Sequence, residues 1–356
     1  MKILHLIHKH QNRGAETFTC QLSNHQSKIG HEVKIVAVYN GEANLNWKDS
    51  IESLIGDENK FIDWKAWKKL SEYVNDFKPD IIQANSGDTL KYAVLSKITF
   101  GWKTPIIFRN ASEVGQYLNS NSQKMFNYLL YRKVSGVASV SKKSKNDLIG
   151  HFSFLEKKTT IIPIGLEEKT VISRIKFDSS RRYNIVHVGG FSFEKNHEGL
   201  IRIFRKVVDQ RKDIHLHLIG DGPLKSQIEN FSNEFALNDY ISFYGFVNNP
   251  LDYIKAADLL VLPSIIEGLP GVLLEAMYCK TPVIAYDVGG ISEIVKSQTG
   301  TLMKKDDKEG FANAILEKID HPDLTQLENA YNMVARNYMN KKLATKFLNF
   351  YKEVLE

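Results

Sequence analysis

Cysteine and long apolar runs are scarce in this chain. Only Cys20 and Cys279 occur in 356 residues, far apart, which excludes a disulfide framework or a paired-cysteine metal site. No apolar run approaches the roughly 18 residues of a membrane-spanning helix, and the apolar run at the start is too short for a signal peptide. We therefore expect a cytoplasmic protein whose two thiols are reduced and structural.

Three ligand-binding patterns are missing as well. The first apolar segment is not followed by G-x-G-x-x-G, which argues against a dinucleotide fingerprint there, and no D-x-D sequence occurs. The 11 histidines show none of the helical spacing typical of metal ligands, so we expect no metal site. No low-complexity tract or internal repeat stands out.

Positive charge is unevenly distributed. Residues 1–165 contain 23 Lys and Arg against 15 Asp and Glu, a net charge of +8, which leaves −2 for the remainder. A basic half can meet phosphate, nucleic acid or anionic lipid, but a solvated surface can carry the same excess.

A helical pattern at 61–77 interleaves Trp64 and Trp67 with three lysines, which is typical of an interfacial helix, and 123–133 offers a second candidate. In the competing interpretation, 61–77 is an ordinary amphipathic helix that packs on a sheet through Phe61, Trp64, Trp67, Leu70 and Val74.

Short apolar segments that alternate with helical patterns predict an α/β fold, and a chain of this length is expected to form two domains. Each domain is expected to contain a doubly wound parallel sheet. We place the domains at 1–165 and 166–339, followed by a last helix at 340–356. The predicted strands are KILHLIH, EVKIVAVY, DIIQA, PIIF and GVASV, then YNIVHVG, IHLHLIG, YISFYG, DLLVLP and TPVIAY.

The stretch EGLPGVLLE at 267–275 is the main functional clue. Pro270 suits the first turn of a helix, so Glu267 is expected in a loop and Glu275 within the helix. The flanking strands complete a βαβ unit, whose loops gather at the carboxyl edge of a parallel sheet, where ligands bind. Two carboxylates placed there could each accept hydrogen bonds from hydroxyls of one ligand; a solvated glutamate pair is the alternative.

Residues 264–293 resemble the E-x7-E region of retaining glycosyltransferases of family 4. The shared pattern is S-x-x-E-G-L-P-x-x-x-L-E-A-M-x-x-x-x-P-V-I-A-x-x-x-G-G-x-x-E. The resemblance implies a GT-B fold: two Rossmann-like domains with a cleft between them, and a terminal helix that packs back on the first domain. It also implies that Glu275 holds the ribose hydroxyls, that Glu267 orients the transferred sugar, and that backbone N–H groups of Gly271 and Val272 meet the diphosphate or the sugar.

Two other loops resemble parts of the family's donor site, each with a departure. RGAE resembles the family's GGAE loop, so Gly14 is expected near the donor diphosphate or sugar, and Arg13 stands where a glycine is usual. VHVGGFSFEKN resembles the stretch in which an arginine and a lysine clamp the diphosphate; Lys195 is present, but Gly190 replaces the arginine. Either Arg13 takes over from the missing arginine, or Arg13 points to solvent and Lys195 suffices.

Two weaker matches complete the predicted site. FYGFV at 243–247 lies where the family usually holds the nucleotide base, which assigns Phe246 to the donor site. PIIFRNASEV at 105–114 falls where family members often have a histidine close to the sugar. Arg109 and Asn110 stand there instead, and we expect one of them on the acceptor side.

The resemblance predicts a hexosyltransferase-type enzyme that moves a sugar, with retention, from a UDP- or GDP-linked donor to a hydroxyl of a glycan or lipid-linked acceptor. Cell-surface polysaccharide synthesis is the expected role. Because D-x-D is absent, Lys195 and helix ends are expected to balance the leaving diphosphate without Mg²⁺, and no cofactor is expected. By analogy with the family, the basic first domain is expected to attach peripherally to an anionic membrane surface on the cytoplasmic side.

Two rival functions stay open. A catalytically silent nucleotide-binding scaffold or partner subunit is favoured by the missing arginine at 190 and the missing histidine near 110. A basic nucleic-acid binder would require an affinity that falls steeply with salt, and we expect no nucleic-acid partner.

Overall fold

The structure is a computed structural model that describes residues 1–57, 60–168, 175–177 and 182–356. The chain divides into two compact units: unit 1 is Met1–Glu167 with Met339–Glu356, and unit 2 is Glu168–Tyr338. Leu166 and Met339 form a parallel bridge within unit 1, although the predicted boundaries put both residues in the second domain.

The described part of unit 1 contains a seven-stranded parallel sheet in the order β3-β2-β1-β4-β5-β6-β7. Its strands are β1 (Lys2–Lys9), β2 (Glu32–Tyr39), β3 (Glu52–Ser53), β4 (Ile81–Ala84), β5 (Ile106–Asn110), β6 (Gly136–Ser139) and β7 (Thr159–Ile161). Its helices include α1 (Gly14–Lys28), α2 (Trp64–Phe77), α3 (Gly87–Phe100), α4 (Asn121–Tyr131) and α5 (Lys142–His151).

The described part of unit 2 contains a six-stranded parallel sheet in the order β10-β9-β8-β11-β12-β13. Its strands are β8 (Tyr183–Val188), β9 (Ile214–Ile219), β10 (Ile241–Gly245), β11 (Leu259–Leu262), β12 (Val283–Tyr286) and β13 (Thr301–Met303). Its helices are α6 (His197–Gln210), α7 (Lys225–Glu234), α8 (Pro250–Ala256), α9 (Gly271–Tyr278), α10 (Ile291–Ile294), α11 (Lys308–Asp320) and α12 (Leu324–Asn337).

The last helix, α13 (Asn340–Leu355), belongs to unit 1. It packs on α1, where the rings of Phe18 and Phe347 lie 6.1 Å apart. The Tyr351 hydroxyl donates to Gln83 Oε1 of β4 at 2.6 Å. Helix α13 thus covers one face of the unit 1 sheet, while α2, α3 and α4 contribute to the apolar core on the other.

The central strands are buried along their whole length, as expected of parallel sheets covered on both faces: β4, β5, β6, β9, β11 and β12. The predicted class, two doubly wound parallel-sheet domains, is confirmed. Strands β3, β7 and β13 were not predicted, because two or three residues are too few to show an apolar pattern. In the part of the chain that the structure describes, no helix is long and apolar enough to cross a membrane.

Both sheets reverse their strand order next to the first strand of the unit, between β1 and β4 and between β8 and β11. In doubly wound folds, ligands bind outside the carboxyl ends of the strands at such a switch point. The loops after β1 and β4, and those after β8 and β11, are therefore where a site is expected.

Candidate functional site

Lys195 and Glu267 form an ion pair at the switch point of unit 2. Lys195 precedes α6 in the loop after β8, Glu267 lies in the loop between β11 and α9, and Lys195 Nζ is 2.6 Å from Glu267 Oε1. Their side chains are 23% and 10% exposed. A carboxylate so little exposed needs a partner, and the ammonium supplies it. The two residues predicted to carry catalysis are therefore in direct contact.

The two loops that carry this pair are tied together by hydrogen bonds. The Ile265 backbone N–H donates to the Glu194 carbonyl at 2.8 Å, and the Asn196 side-chain amide donates to the Pro263 carbonyl at 2.9 Å. Asn196 adopts the left-handed conformation, with φ of 55°, and its Oδ1 accepts from the Gly199 N–H to cap α6. These contacts fix Lys195 opposite Glu267.

The loop after β12 supports Glu267 from the other side. The Gly290 N–H donates to the Gly268 carbonyl at 2.6 Å. Gly289 has φ of 52°, and a Cβ built on it would lie 1.9 Å from the Glu267 carbonyl oxygen. Only glycine allows the two backbone segments to come this close. Gly289 therefore determines the position of the loop that carries Glu267.

Helix α9 begins at Gly271 after Pro270, with Val272 as its second residue. The first N–H groups of a helix have no partner within it and carry partial positive charge, which makes them ready donors for an anion. Glu275 is half-buried in the following turn. The expected arrangement of Glu267 in a loop and Glu275 in the helix is what the structure shows.

Phe246 and Gly190 also lie at the carboxyl edge of the unit 2 sheet. Phe246 directly follows β10 and is 50% exposed. Gly190 follows β8, and a Cβ built there would contact only the Asp221 carbonyl, at 3.5 Å. The position of the missing arginine therefore has room for a side chain, although this sequence supplies none.

Four predicted residues lie in unit 1. Arg13 is exposed and occupies the N-cap position of α1 without a capping hydrogen bond from its side chain. A side chain at Gly14 would meet nothing within 4 Å, so packing does not account for that glycine. Arg109 is buried, with its guanidinium 4.5 Å from the ring centre of Phe18, and burial lowers its pKa to about 10. Among the described residues, no group bonds to its Nε or Nη1.

Asn110 is buried on the other face of the same strand, as the alternation of a strand requires. Its side-chain amide donates to Ser139 Oγ at 3.2 Å and to the Ser144 carbonyl at 3.1 Å. Both Arg109 and Asn110 are thus enclosed within unit 1, and their acceptor-side role stays a prediction.

Two buried histidines of unit 2, His187 and His197, pack against each other. His197 stacks on Phe191 with ring centres 4.0 Å apart, and the His187 ring meets the His197 ring edge-on at 4.7 Å. Burial lowers the pKa of His187 to about 4 and that of His197 to about 2. Within the described ranges, no cluster of three or more His, Cys, Asp or Glu side chains could hold a metal ion.

Asn196 and Gly289 position the site but were not predicted to belong to it. Gly289 sits in a Gly-Gly pair after a strand, a signal that marks close backbone approach. Asn196 carried no comparable signal, because its left-handed cap depends on contacts with a loop 67 residues further along.

Two family models together match almost the whole chain. The model described as Glycosyltransferase Family 4 matches residues 12–169. The model described as Glycosyl transferases group 1 matches residues 169–337. The boundary between the two matches falls close to the boundary between unit 1 and unit 2.

Two relatives illustrate the sequence similarity. The N-acetylgalactosamine-N,N'-diacetylbacillosaminyl-diphospho-undecaprenol 4-alpha-N-acetylgalactosaminyltransferase of Campylobacter jejuni subsp. jejuni is 25% identical over 268 residues, 73% of each chain. The N-acetyl-alpha-D-glucosaminyl L-malate synthase of Bacillus anthracis is 28% identical over 200 residues, 53% of this chain and 52% of its own.

Two solved structures share the fold. HepE of Anabaena, in complex with UDP and glucose, matches with a TM-score of 0.83 at 17% identity over 99% of this chain and all of its own. Sucrose-phosphate synthase of Thermosynechococcus elongatus matches with a TM-score of 0.83 at 19% identity over 99% of this chain and 98% of its own.

Proposed function

Because the chain belongs to glycosyltransferase family 4 and has the GT-B fold, we propose that it moves a sugar from a nucleotide-diphosphate sugar to a hydroxyl of a glycan or lipid-linked acceptor. The anomeric configuration of the sugar is retained, and the sugar is a hexose. Membership of the family makes the protein a glycosyltransferase. We propose the donor, the stereochemistry and the acceptor.

The Lys195–Glu267 ion pair carries this proposal. The ammonium lies on an ordered loop at the carboxyl edge of the unit 2 sheet, where it would meet the diphosphate and neutralise the charge that grows as the glycosidic bond breaks. Diphosphate binding draws Lys195 toward the phosphate oxygens, and the carboxylate of Glu267 then accepts hydrogen bonds from the sugar hydroxyls.

The neighbouring groups complete a donor site. The N–H groups of Gly271 and Val272 at the start of α9 supply donors for the diphosphate or the sugar. Glu275 accepts hydrogen bonds from the ribose hydroxyls, and Phe246 lies beside the base. The family resemblance also implies donor contacts from Arg13 and Gly14 of unit 1, and these stay a prediction. HepE of Anabaena was solved with UDP and glucose, which makes UDP-linked hexoses the first donors to test, with GDP-linked sugars second.

The relatives suggest the acceptor. The Campylobacter enzyme is named for a diphospho-undecaprenol substrate, so a lipid-linked glycan is the acceptor class we propose, in cell-surface polysaccharide synthesis. A transferase that acts on a lipid-linked substrate works at a membrane surface, and unit 1 offers a surface that fits one.

This surface, the α2–α4 apolar face, is formed where three helices of unit 1 meet. Ring contacts of Phe61 with Phe126 at 5.0 Å and of Trp64 with Phe100 at 5.2 Å join the helices. It exposes large apolar side chains, each between 55% and 67% exposed: Phe61, Ile62, Trp64, Ile98, Met125 and Leu129. Apolar side chains gathered in this way mark an interaction surface.

Positive charge beside this face favours an anionic membrane as its partner. Exposed lysines lie on the same helices, among them Lys65, Lys68 and Lys124, and residues 1–165 carry a net charge of +8. Aromatic rings among lysines suit the headgroup region of a bilayer that contains anionic lipid, where rings insert and ammonium groups meet phosphate. The protein thus attaches peripherally to the cytoplasmic face of a membrane.

The test of the catalytic proposal is turnover. Purified protein is incubated with UDP- and GDP-linked sugars and with glycan or lipid-linked acceptors, and nucleoside diphosphate release is followed. NMR of the product establishes the anomeric configuration. We expect acceptor-dependent release that persists in excess EDTA and falls by more than tenfold in Glu267→Gln, which keeps the shape of the side chain and removes its charge.

Tight nucleotide binding without any turnover would instead establish the silent scaffold. Activity that vanishes in EDTA and returns with Mg²⁺ or Mn²⁺ would show that Lys195 and the helix ends do not balance the diphosphate alone.

A further inference from the structure

His8 and Asp88 form a second pair of polar side chains, at the carboxyl edge of the unit 1 sheet. His8 lies near the end of β1, and Asp88 lies in the first turn of α3, which follows β4. His8 Nδ1 is 3.3 Å from Asp88 Oδ2. Strands β1 and β4 are neighbours, and the strand order reverses between them, so the pair occupies the switch point of this unit.

The imidazole ring of His8 is held on two sides. Asp88 holds the Nδ1 edge, and the Tyr39 ring of β2 meets the imidazole at 71° with centres 4.9 Å apart. Among the described residues, no group hydrogen-bonds to His8 Nε2. The side chain of His8 is 23% exposed and that of Asp88 is 48% exposed, so a ligand can reach the pair.

The charged groups around His8 favour an ionised Asp88. The neighbouring His8 imidazole is the largest cause of a lowered pKa at Asp88, and Lys91 of α3 adds to it from 3.9 Å away. Glu16 of α1 also faces His8; burial raises the pKa of its carboxyl, and Gln11 donates a hydrogen bond to its Oε1 at 3.0 Å.

A carboxylate at Nδ1 fixes the tautomer of a histidine. It keeps the proton on Nδ1 and leaves the lone pair on Nε2, which can then accept a hydrogen bond from a hydroxyl. A surface pair as exposed as this one adds little to stability, so stability alone gives weak reason for the arrangement.

We propose that His8 binds the acceptor: Nε2 accepts a hydrogen bond from a hydroxyl of the acceptor, and Asp88 holds the ring in the tautomer that can do so. The inference rests on the proposed glycosyl transfer and adds an acceptor-binding group to unit 1. The ligand is a hydroxyl-bearing acceptor, since an imidazole lone pair cannot accept from a carboxylate or a phosphate oxygen.

The test compares His8→Ala with the parent enzyme in three measurements. At saturating donor, we expect kcat/KM for the acceptor to fall by at least tenfold. Calorimetric affinity for UDP and the slow hydrolysis of the donor by water should stay within twofold, because neither involves the acceptor. His8→Gln, whose amide oxygen can still accept, should recover part of the loss. His31→Ala, a histidine of unit 1 that contacts the N-terminal amine, is the matched control.

The Asp88→Asn variant separates a binding role from a structural one. If Asp88 holds the His8 ring in place for the acceptor, this substitution should lower kcat/KM for the acceptor at neutral pH, while UDP affinity and hydrolysis of the donor stay within twofold of the parent.

Two results would overturn the inference. One is a His8→Ala variant with the acceptor kinetics of the parent. The other is a variant that loses UDP affinity, donor hydrolysis and melting temperature together, which would make the pair structural. A parent protein that turns over no donor at all would instead refute the proposed function, and that outcome is visible before any variant is made.

Discussion

Gly289 and Glu267 approach so closely that a Cβ on Gly289 would lie 1.9 Å from the Glu267 carbonyl oxygen. The φ of 52° at Gly289 also disfavours any side chain. We predict that Gly289→Ala displaces the Glu267 loop, lowers the melting temperature and reduces turnover by more than tenfold. Calorimetry and the diphosphate-release assay measure both effects.

Gly150→Ala in α5 is the matched control for this substitution. A Cβ there meets nothing within 4 Å, and alanine is the better helix former by roughly 0.5–1 kcal/mol. It should keep full activity and melt no lower than the parent. If the two variants have the same melting temperature and turnover, the backbone contact at Gly289 does not determine the position of the Glu267 loop.

The ion pair at the centre of the site shows what the sequence could predict. Glu267 and Lys195 were each predicted from the motifs around them, and the βαβ pattern predicted that their loops share a sheet edge. Their contact at 2.6 Å was not predicted, because it depends on hydrogen bonds between loops 72 residues apart. The local sequence pattern thus predicts which residues lie at the edge of the sheet. Tertiary contacts determine which of those residues touch each other.

Helix α2 shows the limit of a periodic pattern. Trp67, Leu70 and Val74 are buried against the sheet, as the amphipathic interpretation expects. Phe61 is 62% exposed and Trp64 is 57% exposed, contrary to that interpretation. Phe61 precedes the helix, so helical periodicity does not govern it, and Trp64 in the first turn packs on Phe100 of α3 instead.

Glu275→Gln tests the proposed ribose contact. The substitution keeps the shape of the half-buried side chain and removes its charge, so the fold should survive. A charge-assisted hydrogen bond contributes about 1.5–3 kcal/mol, so we expect nucleotide-sugar affinity to fall roughly tenfold to a hundredfold in calorimetry. Glu317→Gln, an exposed glutamate of α11 outside the motif, is the control. Unchanged affinity in Glu275→Gln would remove this residue from the donor site.

Stability should fall in acid because buried histidines of unit 2 stay neutral when folded. The pKa of His187 is lowered from 6.5 to about 4 and that of His197 from 6.5 to about 2, both chiefly by burial. Below about pH 6.5 the unfolded chain binds protons that the folded chain excludes, so unfolding becomes easier as pH falls. Each group contributes up to about 1.4 kcal/mol per pH unit in that window.

His197→Phe isolates this effect. The variant keeps a ring against Phe191 and removes one titrating group, so its melting temperature should fall less steeply than that of the parent between about pH 6.5 and about pH 4. His321→Gln, at an exposed position, should follow the parent. Parallel slopes for all three proteins would mean that His197 does not remain neutral in the folded state.

Membrane attachment through the α2–α4 apolar face is the last prediction. Phe61 and Trp64 expose their rings at the start of α2 beside Lys65 and Lys68, and a fully buried large apolar side chain contributes about 1.5–3 kcal/mol. The double variant Phe61→Ser with Trp64→Ser should therefore bind anionic liposomes at least tenfold more weakly in co-sedimentation. Leu324→Ser, which removes a side chain that is 73% exposed in unit 2, should bind like the parent.

Salt and lipid composition distinguish a bilayer from a protein partner for the same face. Each lysine near an anionic surface contributes about 1 kcal/mol, and this attraction is screened within a Debye length of roughly 10 Å at 0.1 M salt. Binding should therefore weaken with added salt and with removal of anionic lipid, and Lys65→Gln with Lys68→Gln should reproduce part of that loss. If the parent fails to bind anionic liposomes even at low salt, the face serves a protein or a second copy of this chain, because exposed rings beside lysines would otherwise have inserted.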